Sequence, residues 1–544
     1  MKQFVNLPVR STNKTLLVGQ VCTKTNWPWA LKWRSDKTLL VGPKLHISPN
    51  FVSDNIFDII IIISDGVKSL SILDDKFSEI RLAVEQFSKI CRSLDDGSEW
   101  LILAENIPSK RIIYSSTGSI HGDFDDVRKY IKAGISAGKR FLMTGARSPL
   151  LITLPTDRFP TAQLASSIGF LHSLHTPLLP REKNKNYIEK ADLIGILEIK
   201  SKCQKVENLL PVGSLVDFLH AIQSSFDLCR DIGDGDPQRM SPSRVAEYIL
   251  DVFKDSSIKI NIIENKDQIL RDYPLMAAVS RCSNNIEEHR ARMIWLEYIG
   301  EGEPTETLFI VGKGVTLDTG GANLKIGGSM FGMSRDKYGI IGCMCMCRNS
   351  IGSNAYTTDE IITARSGKSI QITNTDAEGR MAMADALAQM KELALNSRNP
   401  HLLTIATLTG HVCLSYGHCP AVIDNGPAKA VNYAEQLRQT GDVFGQPVEV
   451  SRLYSEDFSF HSSDLQTADI KQSDIGPSVQ TRRGHQGPAA FLICASGLSE
   501  CGLDSSHPIK YTHLDIGDSM GAYPKCSLPS PLLTLIAQFC LFFD

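Results

Sequence analysis

Two α/β domains, each a mixed sheet flanked by helices and the C-terminal one larger, are what this chain predicts. Three observations carry that prediction. Short β-branched runs alternate with segments of helical spacing through most of the 544 residues, the pattern of an α/β architecture. The alternation lapses between Ser201 and Gly213, which divides the chain into residues 1–210 and 211–544. The composition is 42% hydrophobic and 22% charged, which excludes disorder, collagen and coiled coil as the main state.

The elements follow in order. Ile59 to Ile63 is a β-branched run between Asp58 and Ser64-Asp65-Gly66, and it reads as a strand buried on both faces. Phe77, Ile80, Val84, Phe87 and Cys91 recur at spacings of three and four, an amphipathic helix. Leu101–Leu103, Arg111–Tyr114 and Leu150–Thr153 are further strand candidates, and Val127, Tyr130, Ile131 and Ile135 mark another helix. Asp192–Lys200 is expected to close this first sheet. After the lapse, Ser214 followed by Asp217 resembles a capping box, with Leu215, Phe218, Leu219, Ile222 and Phe226 as the apolar stripe of a helix ending before Gly233. Strands are expected at Ile258–Ile263, Met293–Tyr298 and Leu308–Val311, and a helix from about Met381 to Leu393.

Lys plus Arg is 57 and Asp plus Glu is 60, so the net charge of −3 gives no electrostatic reason to expect nucleic acid or an anionic membrane as partner. The 14 cysteines are too sparse for a disulfide scaffold and form no CxxC pair, so reduced thiols are expected. Met1 to Lys14 has no apolar core of a secretory signal, and the strongest apolar run is far short of the ~20 residues that span a bilayer. A soluble, cytoplasmic protein is the expectation.

Two segments carry chemistry. Val311 to Asp336 reads VGKGVTLDTGGANLKIGGSMFGMSRD, an apolar strand running into a Gly-rich loop that bears Lys313 and Asp318. Glycines let a backbone approach a ligand closely. The spacing of a phosphate-binding P-loop is absent, and so is G-x-G-x-x-G. Asn374 to Arg380 reads NTDAEGR and leads into the Ala-rich MAMADALAQM. On an extended segment Asp376, Glu378 and Arg380 would point to one side. Carboxylates held close repel unless a cation neutralises them. Asp318, Asp376 and Glu378, with Asp336, therefore suit hard divalent cations or zinc. On these residues alone, a Gly-rich turn with incidental charges and a solvated acidic loop countered by Arg380 both stay open.

Together the two segments resemble the signature of the cytosol (leucine) aminopeptidase family. NTDAEGR matches it residue for residue, and Lys313, Asp318, Lys325 and Asp336 match in order and spacing. Thr-Gly-Gly-Ala at Thr319 and Met-Ser-Arg-Asp-Lys at Met333 are most similar to the family's aminopeptidase-like branch. ATLTG (406–410) and HLDI (513–516) extend the likeness, which covers about residues 210 to 520. The resemblance implies hydrolysis of the N-terminal residue from peptides with a free N-terminus. It implies two divalent metal ions, Zn²⁺ and/or Mn²⁺, with Asp318 and Glu378 bridging, Lys313 and Asp336 completing one site, and Asp376 the other. A lysine ligand binds only as the neutral amine, which adjacent dications favour by depressing its pKa below about 10.4.

Lys325 and Arg380 are the implied catalytic residues. Lys325 would polarise the scissile carbonyl, and Arg380 would hold bicarbonate as general base. Met333, Asn374, Thr407, Leu408 and Gly410 match positions that line the substrate groove. The resemblance also implies a homohexamer and an oligomer-shaping or regulatory N-terminal domain. The chain departs from the family in three places: GPSVQTRRGHQGPAAFLICASGL at 476–498, the segment after HLDI, and Lys337 and Tyr338, which replace a Met and a small residue. A different class of function, a catalytically weak relative acting as a structural or nucleic-acid-binding oligomer, is the rival reading. Against it, all seven metal and catalytic positions are retained. His411, Cys413, His418 and Cys419 fit no tetrahedral zinc spacing. Cys343, Cys345 and Cys347 are expected to be small buried hydrophobes, and His513 and Asp515 to be structural hydrogen-bonders.

Overall fold

The computed structural model describes residues 15–17, 44–47, 56–184, 187–199, 215–300, 302–327, 329–339, 342–475 and 480–540. Strand β1 (Thr15–Leu17) belongs to the larger of two compact units, with Cys229–Gln439 and the chain from Pro447 on. The smaller unit spans Arg34–Leu228 with Thr440–Gln446. The Ser201–Gly213 lapse and the Ser214 cap lie outside the described residues.

The smaller unit contains β2 (Lys44–Ile47), β3 (Ile59–Ser64), β4 (Glu99–Leu103), β5 (Arg111–Ser116), β6 (Pro149–Thr153) and β7 (Leu193–Leu197). Their order is β2-β7-β6-β3-β5-β4, parallel except for β4 against β5. Strand β3 is central and buried throughout, as its unbroken isoleucine run requires. Each of those isoleucines contributes roughly 1.5–3 kcal/mol on burial. Helices Ser78–Ser88, Arg128–Met143 and Ala162–Leu174 flank the sheet. The segment expected to close the sheet, β7, instead lies inside it, because β2 pairs with its outer edge.

The larger unit contains β8 (Lys259–Ile263), β9 (Arg292–Glu297), β10 (Thr307–Asp318), β11 (Cys343–Asn349), β12 (Ile361–Thr363), β13 (Ser369–Gln371), β14 (Pro400–Ala406), β15 (Ala421–Asp424), β16 (Glu449–Ser451), β17 (Ile470–Lys471) and β18 (Lys510–Asp515). The main sheet runs β16-β15-β18-β14-β10-β11-β9-β8, and β1 pairs with the first half of β10. Strands β18, β14, β10 and β11 are mutually parallel, while β8, β9 and β15 bring antiparallel pairings. A separate small sheet orders β12-β13-β17.

Both sheets are therefore mixed, as the sequence predicts. One face of the main sheet packs Leu308, Ile310, Leu403, Ile405, Leu514 and Ile516 into an apolar core with Leu437, Leu535 and Phe539. Alternation then turns Val311, Lys313 and Val315 to the opposite face, where helix Glu378–Ala394 packs against β10, β11 and β14. That helix is built on alanine, which adds little bulk and has the highest helix propensity.

Candidate active site

The site forms where the parallel strands end, as in other α/β sheets. Strand β10 runs through Asp318, so Lys313 and Asp318 stand on a strand rather than in the expected Gly-rich loop. Strict alternation would put residues 313 and 318 on opposite faces. The register of β10 against β11 shifts between Val315 and Asp318, and such an irregularity re-aims the side chains beyond it. The true loop begins at Gly320 and Gly321, with φ of +86° and +64° that a side chain would strain. It is stitched down by Thr375, whose Oγ1 donates to the Gly320 carbonyl at 2.6 Å and accepts from Asn323 N–H at 2.8 Å.

Asp376 and Glu378 do not converge by strand alternation. Asn374–Ala377 is a turn, and Glu378 opens the helix Glu378–Ala394. The positive end of a helix dipole favours carboxylates at that position. Asp318, Asp376 and Glu378 offer carboxylate oxygens that all lie within 4.8 Å of one another. Among the described residues, this is the group of three His, Cys, Asp or Glu side chains placed to hold one ion. His411, Cys413, His418 and Cys419 make no such group.

The two lysines interleave with these acids. Lys313 Nζ is 3.0 Å from Glu378 Oε1 and 3.2 Å from Asp336 Oδ2, and it donates to the Thr407 carbonyl at 2.9 Å. Lys325 Nζ is 2.9 Å from Asp318 Oδ2 and 2.5 Å from Asp376 Oδ1. Burial, with Asp318 adding repulsion, pushes Glu378 up to about 8 and Asp376 up to about 6. Burial also raises Asp336. Burial opposes the charge on Lys313 and Lys325, but the surrounding carboxylates outweigh it and hold both above their ordinary value. Four carboxylates thus face two ammonium groups in a buried space. An oxygen-rich donor set with excess negative charge fits divalent cations.

Arg380 is buried on the same helix. Its Nη1 donates to the Gln472 carbonyl at 3.1 Å, its guanidinium carbon lies 6.0 Å from the Phe491 ring centroid, and its Nε has no hydrogen-bond partner. It makes no ion pair with Asp376 or Glu378, so it is not their counter-ion. Burial pushes its pKa down to about 10.

The expected groove residues are scattered around these groups. Met333 opens the 3₁₀ turn Met333–Lys337 that carries Asp336. Asn374 Oδ1 accepts from Asp376 N–H at 2.9 Å. Thr407 Oγ1 is buried without a hydrogen bond. Leu408 N–H donates to Asp515 Oδ1 at 3.2 Å, and Gly410, opening a short helix, faces open space.

The catalytic-domain model of the cytosol aminopeptidase family matches residues 227–340 and 337–527. The chain belongs to the cytosol aminopeptidase family. It is a metallo-aminopeptidase, a hydrolase. A Caenorhabditis elegans relative named as an aminopeptidase is 46% identical over 513 residues, covering 90% of this chain and 96% of the relative. The solved leucine aminopeptidase of C. elegans superposes with a TM-score of 0.70 at 17% identity, covering 92% of this chain and 97% of that one. The bottromycin maturation enzyme BotP, solved in complex with Mn, gives 0.68 at 17% identity, covering 90% of this chain and all of that one. At such identities the two structures show the shared fold. No helix among the described residues is long and apolar enough to cross a membrane.

Several residues of this aminopeptidase site escaped sequence reasoning. Asn349, at the end of β11, donates to Asp318 Oδ1 at 2.7 Å and to the Thr375 carbonyl at 3.0 Å. Tyr356 donates to the same carbonyl at 2.7 Å. Gln472 accepts from Thr373 and Asn374 N–H and donates to the Ala377 carbonyl, holding the whole turn. Asp515 and His513 are hydrogen-bonders as expected: Asp515 accepts from Leu408, Thr409 and Gly517, and His513 Nδ1 meets Thr404 Oγ1 at 2.7 Å. Cys343, Cys345 and Cys347 are buried.

Proposed function

We propose that this metallo-aminopeptidase removes the N-terminal residue of peptides at a pair of divalent cations, Zn²⁺ or Mn²⁺. The observation that carries the reading is the convergence of Asp318, Asp376 and Glu378 with Lys313, Asp336 and Lys325 in one buried space. Asp318 and Glu378 would be shared by the two cations, Lys313 and Asp336 would complete one site, and Asp376 the other. When bound, such a pair supplies Lewis acidity and acidifies water to a nucleophile near neutral pH. BotP, solved in complex with Mn, supports manganese as one candidate.

The chain's own residues supply the rest. Lys325, beside Asp318 and Asp376, is assigned to polarise the scissile carbonyl and stabilise its developing charge. Arg380 is assigned to hold a small anion, bicarbonate, as proton carrier. Its buried guanidinium has no carboxylate partner and an unused Nε. Met333, Asn374, Thr407, Leu408 and Gly410 are assigned to line the groove that receives the substrate. Residues 211–544 are assigned the chemistry, and residues 1–210 a regulatory or oligomer-shaping role in a cytoplasmic hexamer.

The test is a panel of aminoacyl amides and dipeptides with Mn²⁺- or Zn²⁺-loaded protein, alongside elemental analysis. Turnover together with two bound ions per chain is expected. A folded, metal-saturated protein that cleaves nothing across the panel refutes the reading.

A further inference from the structure

The 3₁₀ turn Met333–Lys337 delivers Asp336 toward Lys313. A 3₁₀ turn of five residues has poor hydrogen-bond geometry and little stability of its own. Something else must fix it, and the residues flanking Asp336 all reach one place. Arg335 Nε lies 2.9 Å from Asp234 Oδ1. Tyr338 OH donates to the same oxygen at 2.8 Å. Lys337 Nζ donates to the Gly235 carbonyl at 2.8 Å.

The far side of this brace is tied as well. Asp234 Oδ2 accepts from Ser527 N–H at 3.2 Å, and the Ser527 hydroxyl meets both Asp234 and Tyr338. Arg230 Nε donates to the Ser527 carbonyl at 2.8 Å. The Arg335 guanidinium also donates to the carbonyls of Gly521, at 2.9 Å, and Lys525. Space for the Tyr338 ring comes from Gly233, where a Cβ would stand 2.3 Å from it. The brace therefore uses Lys337 and Tyr338, the two residues by which this turn departs from the family, and the segment after HLDI, which departs too.

We infer that Asp234 and Tyr338 are positioning residues that hold the turn so that Asp336 and Lys313 present a single cation site. The inference rests on the two-cation reading above. A half-buried carboxylate that pairs with a guanidinium and accepts a phenol hydrogen bond holds both in a defined direction. Partners behind a ligand orient it, and their loss commonly weakens metal binding about 10–100-fold. Because the brace touches only the Asp336 side, its loss acts on one of the two cations.

The experiment uses full-length wild type, Asp234→Asn and Tyr338→Phe, stripped of metal and titrated with Mn²⁺ by calorimetry. Wild type is expected to bind two ions. Each variant is expected to keep one affinity within about twofold and to lose about tenfold or more in the other. With a dipeptide, kcat should fall while KM holds. Tyr338→Phe keeps the ring over Gly233, so it decides the matter even if Asp234→Asn fails to fold. Variants that load both ions like wild type overturn this inference alone. So does equal weakening of both ions with a collapsed melting temperature. Wild type that takes up no Mn²⁺ overturns the two-cation reading and this inference with it.

Discussion

Gly379→Ala separates positioning from stability at this site. Gly379 is the second residue of helix Glu378–Ala394, so its backbone accepts alanine. A Cβ there would stand 2.7 Å from Lys313 Cε, 2.8 Å from Lys313 Cδ and 2.8 Å from Leu408 Cδ1. Unstrained carbon contacts are about 3.5–4.0 Å, so a shift of roughly 1 Å is needed. Leu408 can yield, because the atom in question is the free end of its side chain. Lys313 cannot, because its Nζ is held by Glu378, Asp336 and the Thr407 carbonyl. The strain should therefore displace the ammonium end from its carboxylates. Overpacking costs about 1–3 kcal/mol, and alanine in a helix returns up to about 1 kcal/mol over glycine. The net loss is about 0–3 kcal/mol, a few degrees of melting temperature at most for a protein of this size. A catalytic group misplaced by about 1 Å loses about 100-fold in rate. Steady-state kcat/KM on an aminoacyl amide, with thermal melting on the same preparation, measures both. A variant that melts normally and keeps kcat/KM within about threefold of wild type would refute the placement of Lys313 in the working site.

Three further outcomes are expected. Asp376→Ala should fold and still lose at least about 100-fold in kcat/KM, about 3 kcal/mol of transition-state stabilisation, as measured by initial rates in saturating Mn²⁺. Asn349→Ala strips a donor from Asp318 and from the Thr375 carbonyl, so it should lower stability by about 1–3 kcal/mol in urea titration and weaken Mn²⁺ binding about tenfold by calorimetry. Metal-free protein should lose stability as pH rises. Glu378 and Asp376, at about 8 and about 6, lie above their unfolded values, so the folded state holds extra protons, and its advantage fades between about pH 4 and pH 8. Urea titration of metal-free and Mn²⁺-loaded protein across that range should show the slope, of the order of a few kcal/mol, only without metal.

Legibility in the sequence followed distance along the chain. The NTDAEGR stretch packs two carboxylates, the arginine and the start of a helix into seven consecutive positions, so its chemistry is visible locally. Its geometry differs from the sequence expectation because the helix begins at Glu378 rather than near Met381. An acid in a first turn was the available signal. The apolar pattern predicts only Leu308–Val311 for β10, because Gly312 and Gly314 interrupt the run, yet both are interior positions of a buried strand. Strand β11 (CMCMCRN) has no polar–apolar contrast, being buried on nearly every residue, and only its burial was legible. Gln472 and Asn349 act on a turn that lies 95 and 26 residues away. No periodicity encodes such a pairing. The fold alone brings them to it.

Lys313 is the point at which electrostatics and family likeness bear on each other most closely. In this structure Lys313 and Lys325 are ammonium groups neutralising four acids that the fold has gathered at the strand ends and at a helix N-terminus. Two positive charges do not balance four negative ones, and Glu378 responds by holding a proton well into the neutral range. In a buried array that keeps a proton on one carboxylate and ion pairs on the others, a divalent charge placed among the same oxygens would outweigh both the proton and the ammonium. With such a cation bound, Lys313 would lose the carboxylates that keep it charged, and as the neutral amine it would help hold the ion beside Asp336. Lys325, freed from its share of Asp318 and Asp376, would stay charged and available to polarise a carbonyl oxygen. The two lysines therefore separate by surroundings alone: Lys313 is enclosed by Glu378, Asp336 and a backbone carbonyl, and Lys325 sits on a glycine-hinged loop with a more exposed side chain.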